Sequence, residues 1–526
     1  MKKKADLIIY GAKSYTLDDK FSTVSCIVIR DGKILEVGGE DLFRKYESGH
    51  KLDATGMFVY PGFYDAHCHF MSYGMGMLQR ADLVGTQSFE EVLERLKVHA
   101  GSNSSEWIEG RGWDQNDWKV QEFPDRTELD RLFPDRPVIL TRIDGHAALV
   151  NGEALRRAGI TAQTRVTGGE VLLSEGEPTG LLIDNAIEPV SAMIPEPGNE
   201  LKKAALQKAQ EDCFAVGLTS VMDAGLDVGS IKLIDTLHKL GELKMKINAM
   251  LSPADSSYSG FMKKGIYKTN RLHVNSVKLY ADGALGSRGA CMIEPYSDDP
   301  ENYGLIMHPE HYYREVMKKA YHYNYQVNTH AIGDSGNRYT LDLYASYLKG
   351  PNDRRWRIEH AQIVHPDDFR KFADFNIIPS VQATHATSDM YWAGDRIGEE
   401  RMKGAYAFKK LLATNGWLPN GTDFPIENIS PIHTFYAAVV RKDLEGYPGG
   451  GFQMEGALNR EEALRSITIW AAKGSFEENE KGSLEAGKAA DIVILDSDLM
   501  QMDGMEIPQS KVLYTIVNGE IVYKKK

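Results

Sequence analysis

Across residues 200–479 the chain alternates between stretches with helical spacing and short apolar, β-rich runs, and few folds accept that pattern. The helical stretch 201–209 leads into the run 218–222, and similar runs recur at 274–279, 326–329, 356–358 and 377–381. Strands of this kind, joined through helices, are buried on both faces and build a parallel sheet. Periodicity alone leaves open whether that sheet closes into a barrel or stays open.

The two ends of the chain differ from this middle and resemble each other. Asp31-Gly32 separates the runs 26–30 and 33–37, and Asn518-Gly519 separates 514–517 and 520–523. Both dipeptides are hairpin turn signals. A further run, 491–495, precedes the second hairpin. Isolated hairpins are marginal in water. The ends are therefore expected to pair into one composite β-sandwich domain, residues 1–60 with 480–526; two unrelated β decorations are the alternative. At 526 residues the chain exceeds what a single core usually supports. The other expected units are a barrel part, 61–81 with 200–479, and an insertion, 82–199. That insertion holds Trp107, Trp113 and Trp118, several prolines and the glycine-rich passage 166–171.

A net charge of −13 argues against nucleic-acid and anionic-membrane surfaces, which attract basic patches. Cys26, Cys68, Cys213 and Cys291 form no CxxC pair and are too few for a disulfide scaffold, so a reducing, cytoplasmic compartment is expected. The basic start Met1-Lys2-Lys3-Lys4 imitates an export signal, but the apolar stretch 7–10 is too short for one. No run is long enough to span a bilayer. The expected partner is a small molecule, neither nucleic acid nor membrane, and a homo-oligomer is compatible with the composition.

The chemistry concentrates in residues that end predicted strands. His67 and His69 lie two apart in a strand-like segment, so both imidazoles share one face. His330 ends the run 325–329, His360 follows 356–359, Asp423 follows 417–422, and Lys278 sits near the end of 274–279. In a parallel α/β sheet the carboxyl ends of the strands lie on one side, so residues distant in sequence converge there. Imidazole and carboxylate together suit Zn²⁺ and similar ions. A His-x-His alone would be a weak signal; two surface histidines explain it equally well.

The segment Tyr60-Pro61-Gly62-Phe63-Tyr64-Asp65-Ala66-His67-Cys68-His69 resembles the first-strand motif of the amidohydrolase superfamily. Nearly the whole chain is similar to its YtcJ-like branch, which includes N-substituted formamide deformylase. The segments 278–290, 329–334, 357–361, 421–425 and 482–491 carry that similarity. The resemblance implies a (β/α)₈ TIM barrel with the insertion after barrel strand 1. It implies two divalent metal ions, zinc by the donor chemistry, with His67, His69 and Asp423 on one and His330 and His360 on the other. Lys278 would bridge them as an N-carboxylated lysine, which requires a deprotonated amine in a buried site; a barrel lysine or ion-pair partner is the plainer reading. The implied activity is hydrolysis of an amide, formamide or N-acyl C–N bond through a metal-bridging hydroxide. Asp423 would be the catalytic proton carrier. A deaminase or a cyclic amide or ester hydrolase uses the same site, and a non-catalytic metal-binding regulatory protein is a third reading.

His146, in Asp144-Gly145-His146, is a candidate substrate contact or oxyanion donor, with a turn histidine as the alternative. Trp113, Asp282 and Arg288 are further substrate-binding candidates; core packing for the tryptophan and an ion pair for the other two are the alternatives. Gln382 and His385 follow another strand and are expected to support the site. The passage 482–488 spells G-x-x-x-x-G-K, but Ala489 replaces the Ser or Thr that a phosphate loop needs. No H-E-x-x-H or G-x-S-x-G offers rival hydrolytic chemistry.

Overall fold

Seven parallel strands carry the middle of the chain: β1 (Phe63–Cys68), β2 (Leu218–Leu226), β3 (Lys246–Leu251), β4 (Leu272–Tyr280), β5 (Gln326–Ala331), β6 (Arg357–His360) and β7 (Ile378–Ser380). They hydrogen-bond in sequence order, with Tyr267–Lys268 antiparallel on β4. This computed structural model describes residues 2–103 and 105–526; Met1, the first residue of the basic run, lies outside them. Between β7 and β1 the place of an eighth strand is taken by an extended segment. The Gly421 amide donates to Val381 O at 2.9 Å, Asp423 N to His67 O at 2.8 Å, and His69 N to Phe424 O at 2.9 Å. The sheet is thus a nearly closed, TIM-like barrel. Gly421 is required by proximity, since a Cβ there would fall 2.4 Å from His67 N.

Almost every strand residue is buried because one face meets the helices and the other the barrel interior. On β4, Leu272 and Val274 pack in the large apolar cluster with the surrounding helices, and so do Val277 and Leu279. That parity change coincides with a bulge: Asn248 pairs with His273, but Met250 pairs with Ser276. The extra residue re-aims the rest of the strand and turns Lys278 inward.

The termini share a single sheet in the order Glu520–Lys524, Val512–Val517, Ile492–Leu495, Phe58–Pro61, Leu7–Tyr15, Thr23–Arg30, Lys33–Gly38, with His50–Asp53 on Leu7–Tyr15. Instead of two stacked sheets, it is one continuous sheet that curls over its own apolar face. Leu7, Ile9 and Ile29 pack with Ile492, Ile494 and Ile516. The two hairpin turns meet, Gly32 lying against Asn518. The strand Phe58–Pro61 links the arms because it pairs with both Leu7–Tyr15 and Ile492–Leu495.

Residues 81–184 contribute a separate six-stranded mixed sheet with its own apolar clusters, one around Leu83, Trp113 and Leu140, the other around Trp107, Ile139 and Val150. It docks at the carboxyl ends of the barrel strands. Asn185 Nδ2 donates to Met307 O at 2.8 Å, and Arg396 Nη2 to Asn116 Oδ1 at 2.9 Å. No helix among the described residues is long and apolar enough to cross a membrane.

Candidate metal centre

Asp423 lies where the barrel closes, just past the extended segment, and four imidazoles surround it. His67 Nε2 is 3.5 Å and His69 Nε2 3.3 Å from Oδ1; His385 Nε2 is 3.2 Å and His360 Nδ1 3.9 Å from Oδ2. Burial opposes the Asp423 charge, but chiefly the His385 hydrogen bond holds its carboxyl well below the usual range. His360 and Asp423 both adopt left-handed backbone (φ 74° and 63°), which lets each leave its strand end toward the centre.

His67 is fully buried, and its Nδ1 faces Glu359 Oε2 at 2.6 Å. Glu359 is held in turn by Arg357, with Nε 2.7 Å from Oε1 and Nη2 2.8 Å from Oε2. Burial works against the Glu359 charge, and Arg357 with His67 overcomes it, keeping the carboxyl below its usual range. Burial pushes the His67 pKa down to about 4, so the ring is neutral at pH 7. With Nδ1–H committed to an ionised Glu359, Nε2 presents a lone pair to the centre. Cys68 faces away, into the barrel wall, with Sγ 3.5 Å from Met222 O.

The remaining expected ligands arrive from β4, β5 and β6. Lys278 Nζ is 3.3 Å from His67 Nε2 and 4.7 Å from the Tyr280 ring centre. Burial lowers its pKa to about 8. The His330 ring lies 4.6 Å from His360 and 4.9 Å from His146. His67, His69 and Asp423 offer ligand atoms within 4.8 Å of one another, and so do His360, His385 and Asp423. Two buried atoms, Asp423 Oδ1 and His360 Nδ1, have no hydrogen-bond partner. An unpaired carboxylate oxygen is costly to bury. A cation removes that cost, so the donor set fits a divalent metal.

His69, Lys278, His330, His360, His385 and Asp423 line a cavity of about 590 Å³, walled by the barrel on one side and the insertion on the other. His146 reaches it, with Nδ1 2.5 Å from Asp184 Oδ1. Asp184 is fixed against the barrel loop at Gly283 and Gly289, where a Cβ would lie 2.4 Å from its Oδ2. Burial disfavours the imidazolium, but Asp184 raises the His146 pKa above its ordinary value.

Three expected substrate contacts do not line the cavity. Trp113 is in the insertion core and donates Nε1–H to Leu140 O at 2.8 Å, because an indole buried on that strand finds its acceptor on the neighbouring one. Asp282 turns away from the cavity to accept the backbone amides of Ile332 (3.0 Å), Gly333 (2.8 Å) and Cys291 (2.9 Å). Arg288 pairs with Asp298 at 2.9 Å. Conversely, His385 touches Asp423 directly and is braced by Glu427 at 2.9 Å, a closer place than the supporting one its sequence position suggested. It is the third residue of the helix Ala383–Asp389, so its signal was the strand end just before that helix.

Comparison with known proteins agrees with this geometry. A profile described as "Amidohydrolase family" matches residues 51–523. The chain belongs to the amidohydrolase family. It is 34% identical to "Protein LONG AFTER FAR-RED 3" of Arabidopsis thaliana (99% of this chain, 92% of that protein) and 31% identical to "Putative amidohydrolase YtcJ" of Bacillus subtilis (98% and 99%). N-substituted formamide deformylase of Arthrobacter pascens is 26% identical (100% and 99%). Among solved structures, an uncharacterized metal-dependent hydrolase from Pyrococcus horikoshii superimposes with a TM-score of 0.76 at 29% identity, covering 95% of this chain and 99% of that one. As an amidohydrolase-family member, the chain is a hydrolase of the metal-dependent type.

Proposed function

We propose that this amidohydrolase hydrolyses a C–N bond, an amide, formamide or N-acyl linkage, in a small molecule, rather than acting on nucleic acid or at a membrane. The observation that carries the reading is the buried, ionised Asp423 with one unpartnered oxygen at the floor of a cavity, among His67, His69, His360 and His385. His67, His69 and Asp423 would hold one divalent ion, zinc by donor type, and His330 and His360 a second, with Lys278 between them as its carbamate. When bound, such ions supply Lewis acidity and an acidified water near neutral pH.

The chain's own groups divide the remaining work. Asp423 is ionised and faces the cavity, so it takes the proton of the attacking water and returns it to the leaving nitrogen. His146 keeps its proton through Asp184 and leaves Nε2 for the substrate carbonyl oxygen, where negative charge develops. The insertion supplies one wall of the cavity through Arg111, Arg142 and His146. An amide is the linkage that most needs this arrangement, because a nitrogen leaving group departs only when protonated.

The test is a turnover screen of N-acyl and N-formyl amines, cyclic amides and esters with Zn²⁺-loaded enzyme, wild type against Asp423→Asn. Amide hydrolysis abolished by Asp423→Asn, with metal largely retained, is expected. Undiminished turnover in that variant removes Asp423 as proton carrier, and turnover confined to esters or to deamination overturns the proposed bond.

A further inference from the structure

Three guanidinium groups reach the cavity wall, and two of them are already neutralised. Arg142 is clasped by Asp114 and by Asp144, and Arg80 faces Glu109 at 3.3 Å. Arg111 meets no carboxylate at ion-pairing distance among the described residues. Its hydrogen bond is from Nη2 to Ile143 O, 3.0 Å, and its buried Nε has no acceptor. Arg111 is half-buried; burial, with Arg80 nearby, lowers its pKa to about 10, while the more distant Asp144 and Asp423 act in the opposite direction without pairing with it.

The strand that carries Arg111 is closely packed on either side of it. Gly110 and Gly112 flank it; a Cβ at the first would fall 2.8 Å from Leu83 Cδ1, and at the second 2.4 Å from Val84 Cγ2. Arg111 shares a wall with His69, His146 and Lys278, and it borders both the main cavity and a side lobe of about 390 Å³. Beside the candidate metal centre, Arg111 therefore keeps unpaired N–H donors.

We propose that Arg111 recognises a carboxylate on the substrate, so that the molecule hydrolysed is an amide bearing a carboxylate on the fragment lodged against the insertion. This rests on the hydrolase reading above and narrows it. A carboxylate is the fitting anion because two parallel N–H donors of a guanidinium match its two oxygens.

The experiment compares N-formyl- and N-acetylglycine with their uncharged C-terminal amides, using the Zn²⁺-loaded full chain. Wild type is expected to favour the carboxylate member in kcat/KM, and Arg111→Gln to lower that ratio by about 10–100-fold, chiefly through KM, the size of a charge-assisted pair. Arg111→Lys, a point charge without the planar fork, retains an intermediate ratio, and it carries the test if Arg111→Gln does not fold. No carboxylate preference in wild type, or an equal ratio in wild type and variant, overturns the proposal. If no amide is turned over, the proposed C–N bond reading fails, and calorimetric binding of N-acetylglycine against N-acetylglycinamide decides Arg111 separately. A preference lost in the variant upholds its role, and no preference ends it.

Discussion

Replacing Glu359 with Gln changes a few atoms yet should be felt at the metal centre. Both Glu359 oxygens are fully buried and accept three hydrogen bonds, two from Arg357 and one from His67 Nδ1 at 2.6 Å. A carboxamide offers one accepting oxygen and one NH₂. Wherever the NH₂ is placed, it opposes an N–H of Arg357, of His67 or of both. If it opposes His67, the Nδ1–H tautomer loses its partner, and the Nε2 lone pair that would bind metal is no longer fixed. Changes behind a metal-binding histidine typically weaken metal affinity about 10–100-fold, or about 1.4–2.7 kcal/mol. The same substitution leaves the fully buried Arg357 without its counter-charge, which costs about 3–5 kcal/mol in folding stability when a buried pair is broken. Competition of apoprotein with a chromophoric chelator for Zn²⁺, wild type against Glu359→Gln, measures the first effect. Chemical denaturation measures the second. A folded variant with unchanged zinc affinity would refute the idea that Glu359 sets the His67 tautomer.

Other expectations follow from the same geometry. Lys278→Ala should lower bound metal and activity together, and small carboxylic acids should partly restore both by standing in for the carbamate; metal analysis and turnover with and without added acid check this. Gly421→Ala should destabilise the barrel by about 1–3 kcal/mol, since the new Cβ meets His67 N at 2.4 Å and the backbone must shift. Its denaturation midpoint should fall, and an unchanged midpoint would show that the closing segment is looser than the structure has it.

Much of this architecture was legible in the sequence because strand ends are periodic features. β2, β4 and β5 announce themselves as apolar runs, and residues at such ends must converge in a parallel sheet. What periodicity could not show is how Lys278 comes to face inward. Val274 and Lys278 have the same parity, and only the bulge between His273 and Ser276 separates their faces. The insertion was harder to read. Trp113 and Arg111 stand two apart on one strand, yet one is core and the other cavity wall. Tryptophans serve cores more often than pockets, and packing inside the insertion's own sheet claims Trp113. Asp282 misled for a related reason: a carboxylate just after a strand serves substrate or backbone amides with equal ease, and here three amides claim it. His385 escaped the ligand set because a helix start, not a strand end, delivers it.

Elemental analysis of the purified, metal-loaded chain tests the central claim most directly, because the whole site is built around the charge at Asp423 Oδ1. The account predicts about two divalent ions per chain, reduced in His67→Ala and in His330→Ala. One ion would contradict the paired centre, and none would contradict the metal-dependent reading itself.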